Sequence, residues 1–187
     1  MFALELAVAH RFQPVLDIGS HDPATFADNP ALKVPIWLDE HGPLYGTENI
    51  CRELARRSGQ RDRAVLRGDI QDRLVANAEE LVMHAMSSEV TLIMAATAGA
   101  DASAPPKVRA SLENALAFLD RRLDAVRAAL PARRLVSFVE IALYCVVRHL
   151  PFRQVLDPSG YHRLQAFCRE IDERPAAQAT SYRFDAG

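Results

Sequence analysis

Thiols are the most reactive side chains in this sequence, which has three of them: Cys51, Cys145 and Cys168. A redox or zinc site usually presents cysteines as closely spaced pairs, such as CxxC, on a turn. No such pair occurs here, and each cysteine falls within an apolar pattern of helical period. The spacing therefore predicts packed thiols in a reducing compartment and no metal site.

A second informative pair is Ser137 and Glu140, which lie three residues apart at the start of an apolar run. In a capping box, the serine hydroxyl accepts a hydrogen bond from the glutamate N–H, and the glutamate carboxylate accepts one from the serine N–H. The pattern predicts a structural capping box at the start of a buried helix. Loss of a helix cap typically costs about 0.5–2 kcal/mol.

The elements that must position these residues are expected in two parts, residues 1–60 and 61–187. The first part begins with a predicted helix over Phe2–His10 and a β-favouring stretch over Phe12–Ile18. The stretch Gly19–Pro30 is rich in Asp, Pro and Asn, which predicts a loop.

A hairpin and a helix complete the first part. Val34–Leu38 and Leu44–Tyr45 flank a Gly-Pro turn, as expected for two short strands. Thr47 is predicted to cap a helix that runs from about Glu48 to Arg57 and is closed by Gly59. Strands and helices in this order indicate an α/β unit.

The second part has only helical patterns. The first is one long helix up to Gly99, with an apolar stripe at near-helical spacing that consists of Ile70, Leu74, Leu81, Val82, Ala85, Met86, Ile93 and Thr97. A proline-bearing connector follows at Ala102–Pro106. Three further predicted helices are an amphipathic one over Val108–Leu130, a buried one over Phe138–Leu150 and a shorter one over Tyr161–Ile171. The expected second part is therefore an all-helical bundle.

The composition excludes several classes of protein. A net charge of -2 offers no basic surface for nucleic acid. No stretch reaches the roughly 18 apolar residues that a membrane span needs, and the first residues lack the basic start of a secretory signal. We therefore expect a cytoplasmic protein that binds neither nucleic acid nor membranes.

Two groups of residues resemble the glutathione S-transferases. The stretch Asn29–Leu38 (NPALKVPIWL), with Gly42, Leu44, Thr47 and Ile50 after it, is similar to the segment of that family that holds glutathione. Toward the other end, the Ser137–Glu140 segment resembles the one that opens the buried helix of the family, and Arg174–Pro175 and Thr180 resemble the family's closing Arg-Pro-Ser and Thr. The resemblance implies an incomplete thioredoxin-like α/β domain followed by an all-α helical bundle, in a homodimer.

The resemblance also implies a glutathione site at Lys33, Val34, Pro35 and Thr47. In the family, the Val-Pro proline is cis and the valine backbone pairs with the cysteinyl part of glutathione, as an added strand would. A serine or threonine at a helix N-terminus receives the γ-glutamyl carboxylate, and Thr47 holds that position.

Two departures from the family pattern affect function. Gly46 stands where the family usually has an acidic or amide residue that meets the α-amino group, which predicts weak glutathione binding or none. The family's first strand and its catalytic Tyr, Ser or Cys are also expected to be absent, as in an N-terminally truncated chain; the alternative is a true start further upstream. Four residues could in principle replace the missing catalytic side chain, but each is expected to be packed or solvated instead: His10, His21, Tyr45 and Cys51.

Two functions remain open from the sequence. One is a glutathione S-transferase-like protein whose ancestral chemistry is conjugation of glutathione to apolar electrophiles, with the two departures weighing against catalysis. The other is a non-enzymatic scaffold or apolar-ligand-binding protein of the same fold. Without a neighbouring strand, Phe12–Ile18 is expected to pair directly with Val34–Leu38, to pair across a dimer interface, or to form no regular strand.

Overall fold

The computed structural model describes residues 1–97 and 105–184. It begins with a single-turn helix, α1, at Phe2–Glu5. The predicted helix over Phe2–His10 is therefore too long. The reason is local, since Ala7 adopts a left-handed conformation with φ of 52°, which a continuing right-handed helix does not allow.

The Phe12–Ile18 stretch forms no strand, which is the third of the three expected outcomes. Its apolar side chains face solvent, with Phe12 80% and Leu16 79% exposed. Pro14 contributes to this result because it has no backbone N–H to donate to a strand ladder. A short 3-10 turn at Pro23–Phe26 then interrupts the predicted loop.

The predicted hairpin is present. Strand β1 (Ile36–Asp39) pairs antiparallel with β2 (Gly42–Tyr45), and Ile36 lies opposite Tyr45. Gly42 has a φ of 97°, a conformation that glycine adopts without steric cost. The Val34–Pro35 peptide that precedes β1 is cis.

Helix α2 spans Thr47–Arg57, close to its predicted bounds, and Gly59 follows it with a φ of 68°. The capping residue, however, is Gly46 and not Thr47. The carbonyl of Gly46 accepts the first helical hydrogen bond, from the N–H of Ile50 at 3.0 Å. Thr47 is therefore already the first helical residue, and no side chain caps this end of the helix.

The remainder of the described chain is helical, as predicted, apart from one short strand pair. Its helices are α3 (Arg73–Thr97), α4 (Pro106–Ala129), α5 (Phe138–Phe152), α6 (His162–Asp172) and α7 (Pro175–Gln178). Two-residue strands β3 (Ala64–Val65) and β4 (Val136–Ser137) pair in parallel, which the sequence patterns did not predict. Gly99 and most of the predicted connector Ala102–Pro106 lie outside the described residues.

Helices α3, α4 and α5 form the centre of the bundle, where α3 packs against both of the others. The predicted stripe of α4 is confirmed, since Leu112, Leu116 and Leu119 are fully buried. The stripe of α3 is rotated relative to the predicted one. Its buried positions are Val75, Ala78, Glu79, Val82, Ala85, Ser88, Glu89 and Leu92.

The predicted capping box at the start of α5 is wrong. Ser137 does hold the N-cap position in an extended conformation, but its hydroxyl makes no hydrogen bond and is buried. The carboxylate of Glu140 is instead held by two guanidinium groups, those of Arg127 at 3.2 Å and Arg134 at 2.7 Å. Two charge-assisted partners outcompete one backbone N–H for the same oxygens.

Candidate ligand-binding site

The N-terminus of α2 presents free backbone donors. Because the helical ladder begins at Ile50, the N–H groups of Thr47, Glu48 and Asn49 have no partner within the helix. These donors and the positive end of the helix dipole favour an anion at this point. The nearby side chains leave the donors open, since Asn49 Nδ2 donates back to the carbonyl of Tyr45 and Glu48 pairs with Arg52.

This helix end opens onto a cleft of about 300 Å³. The cleft lies between the first turn of α2, the segment before α3, and the helices α3 and α5. Its lining residues are Gly46, Thr47, Glu48, Asn49, Arg67, Glu79, Met83 and Phe138. The volume suits the polar end of a small molecule.

Glu79 is the unusual residue in this cleft. It is only 2% exposed, and neither carboxylate oxygen makes a hydrogen bond within the described residues. Arg67 Nε approaches Oε1 to 3.3 Å, an ion-pair distance, but without the geometry of a hydrogen bond. Burial raises the pKa of the Glu79 carboxyl, and the charge of Arg67 opposes the rise.

The other buried glutamates have hydrogen-bond partners. Glu89 lies 3.0 Å from His149 Nδ1, and Glu140 is held by Arg127 and Arg134. Buried polar side chains in folded proteins are almost always satisfied in this way. One oxygen of Glu5 also lacks a hydrogen bond, but among the described residues Glu79 is the buried glutamate in which both oxygens lack one, and it lies at the wall of the cleft.

The predicted residues Lys33, Val34 and Pro35 are near this end of the hairpin but do not line the cleft. Because Ile36 pairs with Tyr45, the residues before Ile36 and those after Tyr45 lie at the same end of the hairpin. Val34 is half exposed, and no described residue hydrogen-bonds to its backbone. The carbonyl of Lys33 accepts from Asn29 Nδ2 at 2.8 Å.

None of the four possible catalytic substitutes lines the cleft. The hydroxyl of Tyr45 donates to the carbonyl of Ala27 at 3.3 Å. His10 bonds locally to the carbonyl of Val8, and His21 is exposed. Cys51 is buried, which raises its pKa to about 12.

The prediction of packed thiols is confirmed. All three cysteines are free, and Cys51 and Cys168 are buried in the core. Burial raises the pKa of Cys168 to about 12 and also raises the pKa of Cys145. None of them is a ready nucleophile, because the reactive form is the thiolate.

Two further clefts have polar groups that are already engaged. One, of about 420 Å³, lies on the outer face of α2 beside Arg52, Arg56 and Arg61, and each of these guanidinium groups binds a carboxylate. The other, of about 440 Å³, lies between α5, α6 and residues 180–182. There Asp172 accepts hydrogen bonds from both Tyr144 and Arg148.

Arg67 and Glu79 are not among the site residues predicted from the sequence. A signal for Glu79 does exist, because it falls at helical spacing between Val75 and Val82 and so carries a charge on the buried face of α3. Arg67 ends a stretch, Arg52–Arg67, in which arginines alternate with acidic residues, and no linear pattern distinguishes it from its neighbours.

Solved structures with a similar fold include two glutathione S-transferases. A glutathione S-transferase from Methylobacillus flagellatus KT, solved with GSH bound, matches with a TM-score of 0.76 and 20% identity over 96% of this chain and 90% of its own. A glutathione S-transferase from Methylobacterium radiotolerans JCM 2831, in complex with glutathione sulfonate, has a TM-score of 0.73 and 18% identity over 99% and 91%. No family model and no curated protein matches the sequence. This chain has the fold of the glutathione S-transferases, with an α/β part and a helical C-terminal part.

Proposed function

We propose that this protein binds glutathione in the cleft at the N-terminus of α2. The observation that carries the proposal is the uncapped helix end, which faces the cleft and lies at the same end of the hairpin as Val34. Both similar structures were solved with glutathione or its sulfonate. A tripeptide suits the helix end and the backbone of Val34, because it has a carboxylate at one end and a backbone that can pair at its centre.

The ligand would lie with its γ-glutamyl carboxylate against the free N–H groups of Thr47 and Glu48. Its cysteinyl backbone would pair with the N–H and C=O of Val34, as an added strand does. In this arrangement Lys33 and Pro35 flank the pairing residue. The homodimer and the cytoplasmic location remain part of the proposal. Among the helices of residues 1–97 and 105–184, none has the length and apolar character of a membrane span.

Conjugation of glutathione to an apolar electrophile is the ancestral chemistry that we propose for this fold. The reaction needs the thiolate, and a free thiol with a pKa of about 8.5 is mostly protonated at neutral pH. Tyr45 and Cys51, the nearest groups in the sequence that could stabilise a thiolate, are respectively hydrogen-bonded elsewhere and buried. Binding is therefore the primary function that we propose, ahead of catalysis.

Titration calorimetry with glutathione tests the site through Thr47→Ala. We expect measurable binding to the parent protein and an affinity about tenfold lower for Thr47→Ala, because a hydroxyl bond to a charged carboxylate contributes about 1.5 kcal/mol. A matched control is Thr91→Ala, an exposed α3 residue whose hydroxyl bonds to Ser87. Absence of binding, or equal losses in both variants, would contradict the proposed site.

A non-enzymatic scaffold is the second candidate, and one observation favours it. Phe12, Leu16 and Ile18 are 80%, 79% and 64% exposed and lie within seven residues of each other. Clustered exposed apolar side chains are typical of surfaces that bind a partner or an apolar ligand. Glutathione-independent capture of an apolar dye, lost on substitution of these three residues by serine, would support this role.

A further inference from the structure

We propose that the C-terminal segment, residues 180–184, is a pH-dependent latch on the cleft between α5 and α6, and that protonation of the His149 imidazole holds the latch closed. This inference concerns a part of the molecule away from the proposed glutathione site and does not depend on that site.

The C-terminal segment forms one wall of the cleft of about 440 Å³ described above. Thr180, Ser181 and Tyr182 line the cleft on this side, whereas α5 and α6 supply most of the remaining lining. Movement of the segment away from α5 would therefore open the cleft along this wall.

Only light contacts hold the outer part of this segment. The side chains of Tyr182 and Phe184 are 41% and 72% exposed, and the Tyr182 hydroxyl donates to the carbonyl of Cys145 at 3.3 Å. The ring centroid of Tyr182 lies 4.7 Å from that of His149 and 5.5 Å from that of Phe152. The ring of Phe184 also stacks on Phe152, at 4.5 Å. A segment without regular secondary structure and with so few contacts opens at a low cost in free energy, so a change in one contact can move it.

Among the rings that hold the segment, His149 is the one that can gain a charge near neutral pH. Histidine usually changes its charge between about pH 5 and pH 8. Nδ1 of His149 lies 3.0 Å from Oε1 of Glu89, so the carboxylate holds a proton on Nδ1 and Nε2 is the nitrogen that titrates. The side chain of His149 is 26% exposed, which allows exchange of this proton with water.

Protonation of His149 strengthens two contacts. The imidazolium lies within the roughly 6 Å over which an aromatic ring attracts a cation, since the centroid of Tyr182 is 4.7 Å away. It also forms an ion pair with Glu89, whose side chain is 4% exposed and is therefore little screened by water. The charged imidazole is thus fixed beside Tyr182 and holds the segment more tightly than the neutral one.

The other ionisable groups around the cleft also bear on this contact. Burial raises the pKa of the Cys145 thiol and that of the Tyr182 hydroxyl, so both stay neutral between about pH 5 and pH 8. Arg148, the neighbour of His149 on α5, is paired with a carboxylate of α6. The amino group of Met1 belongs to a residue that also lines the cleft, and burial lowers its pKa. A variant that changes His149 alone separates its effect from that of Met1.

NMR relaxation of the ¹⁵N-labelled full chain at about pH 5.5 and about pH 8 tests the latch. We expect backbone order parameters for Tyr182 and Phe184 near 0.85 at the lower pH and below about 0.6 at the higher pH. His149→Phe keeps an aromatic ring but has no charge, so its order parameters should be the same at both pH values. The matched control is His84→Gln, which removes an exposed histidine of α3 that bonds to Ser88 and should keep the change seen in the parent.

Order parameters of the parent that do not change with pH would overturn the latch. A change that survives in His149→Phe would also overturn it and would assign the pH dependence to Met1. If His149→Phe does not fold, Glu89→Gln takes its place. The midpoint of the change should then move to lower pH, because the imidazolium has lost its ion pair, and an unmoved midpoint would contradict the role of His149.

Discussion

At the residue scale, Glu79 is a buried charge-bearing group that opposes the stability of the fold. A buried carboxylate without hydrogen bonds carries a desolvation penalty, which the surrounding structure must offset. Replacement of such a residue by a neutral one of the same shape often stabilises a protein. Glu79 should behave in this way.

We predict that Glu79→Gln is more stable than the parent above neutral pH. Because the folded pKa of Glu79 is raised above its ordinary value of 4.5, the native state holds more protons than the unfolded state between these two pKa values. The free energy of unfolding therefore falls as pH rises through this window. Glutamine removes this dependence, so we expect a gain of about 1 kcal/mol at pH 8 that vanishes below about pH 4.

Urea unfolding at several pH values measures this difference. Glu80→Gln is the control, because it makes the same substitution at the adjacent, exposed position. A Glu79→Gln protein that is no more stable than the parent at pH 8 would mean that the carboxylate is satisfied in solution.

At the scale of single elements, the start of α5 depends on Glu140 and not on Ser137. The Ser137 hydroxyl is buried without a partner, whereas Glu140 joins Arg127 and Arg134 in one network that also reaches Glu170. The two residues of the predicted capping box therefore contribute in opposite directions.

We predict that Ser137→Ala raises the free energy of unfolding by about 1 kcal/mol, because it removes an unsatisfied buried hydroxyl. Glu140→Ala should lower it by about 3 kcal/mol, since the partly buried guanidinium of Arg134 loses its carboxylate partner and Arg127 keeps only Glu170. Chemical denaturation of both variants provides the measurement. Destabilisation by Ser137→Ala of 1 kcal/mol or more would restore the capping interpretation.

The elements differ in how far the sequence predicts them. The stripe of α4 is predictable because leucines recur at helical spacing and only one face of the helix is buried. On α3, apolar residues surround much of the helix, and only tertiary packing decides that Val75 and Val82 are buried while Met94 is exposed. The position of Thr47 at the N-terminal end of α2 is predictable from the sequence. That Glu79 lies in the same cleft as Thr47 depends on how α2 and α3 pack, which the sequence pattern does not predict.

At the scale of the whole molecule, one hydrophobic core joins the two predicted parts. Leu6 and Leu54 from the first part belong to the same buried cluster as Val82 and Leu112 from the second. The proposed division at residue 60 thus separates segments that share a core. By contrast, the exposed Phe12–Ile18 segment packs little of its apolar surface.

We predict that chymotrypsin first cleaves the native protein within Phe12–Ile18. The segment offers exposed aromatic and leucine side chains and has no regular backbone ladder, so local opening there costs little free energy. Mass spectrometry of brief digests identifies the first cut. Initial cleavage within α5 or α6, whose apolar residues are buried, would contradict this description of the molecule.

The central claim is that the cleft at the N-terminus of α2 holds the γ-glutamyl end of glutathione. A crystal structure of the full chain soaked with glutathione tests it most directly. The account predicts the γ-glutamyl carboxylate about 3 Å from the N–H groups of Thr47 and Glu48, with the cysteinyl backbone paired to Val34. Glutathione bound in another cleft, or its γ-glutamyl end away from α2, would contradict the claim.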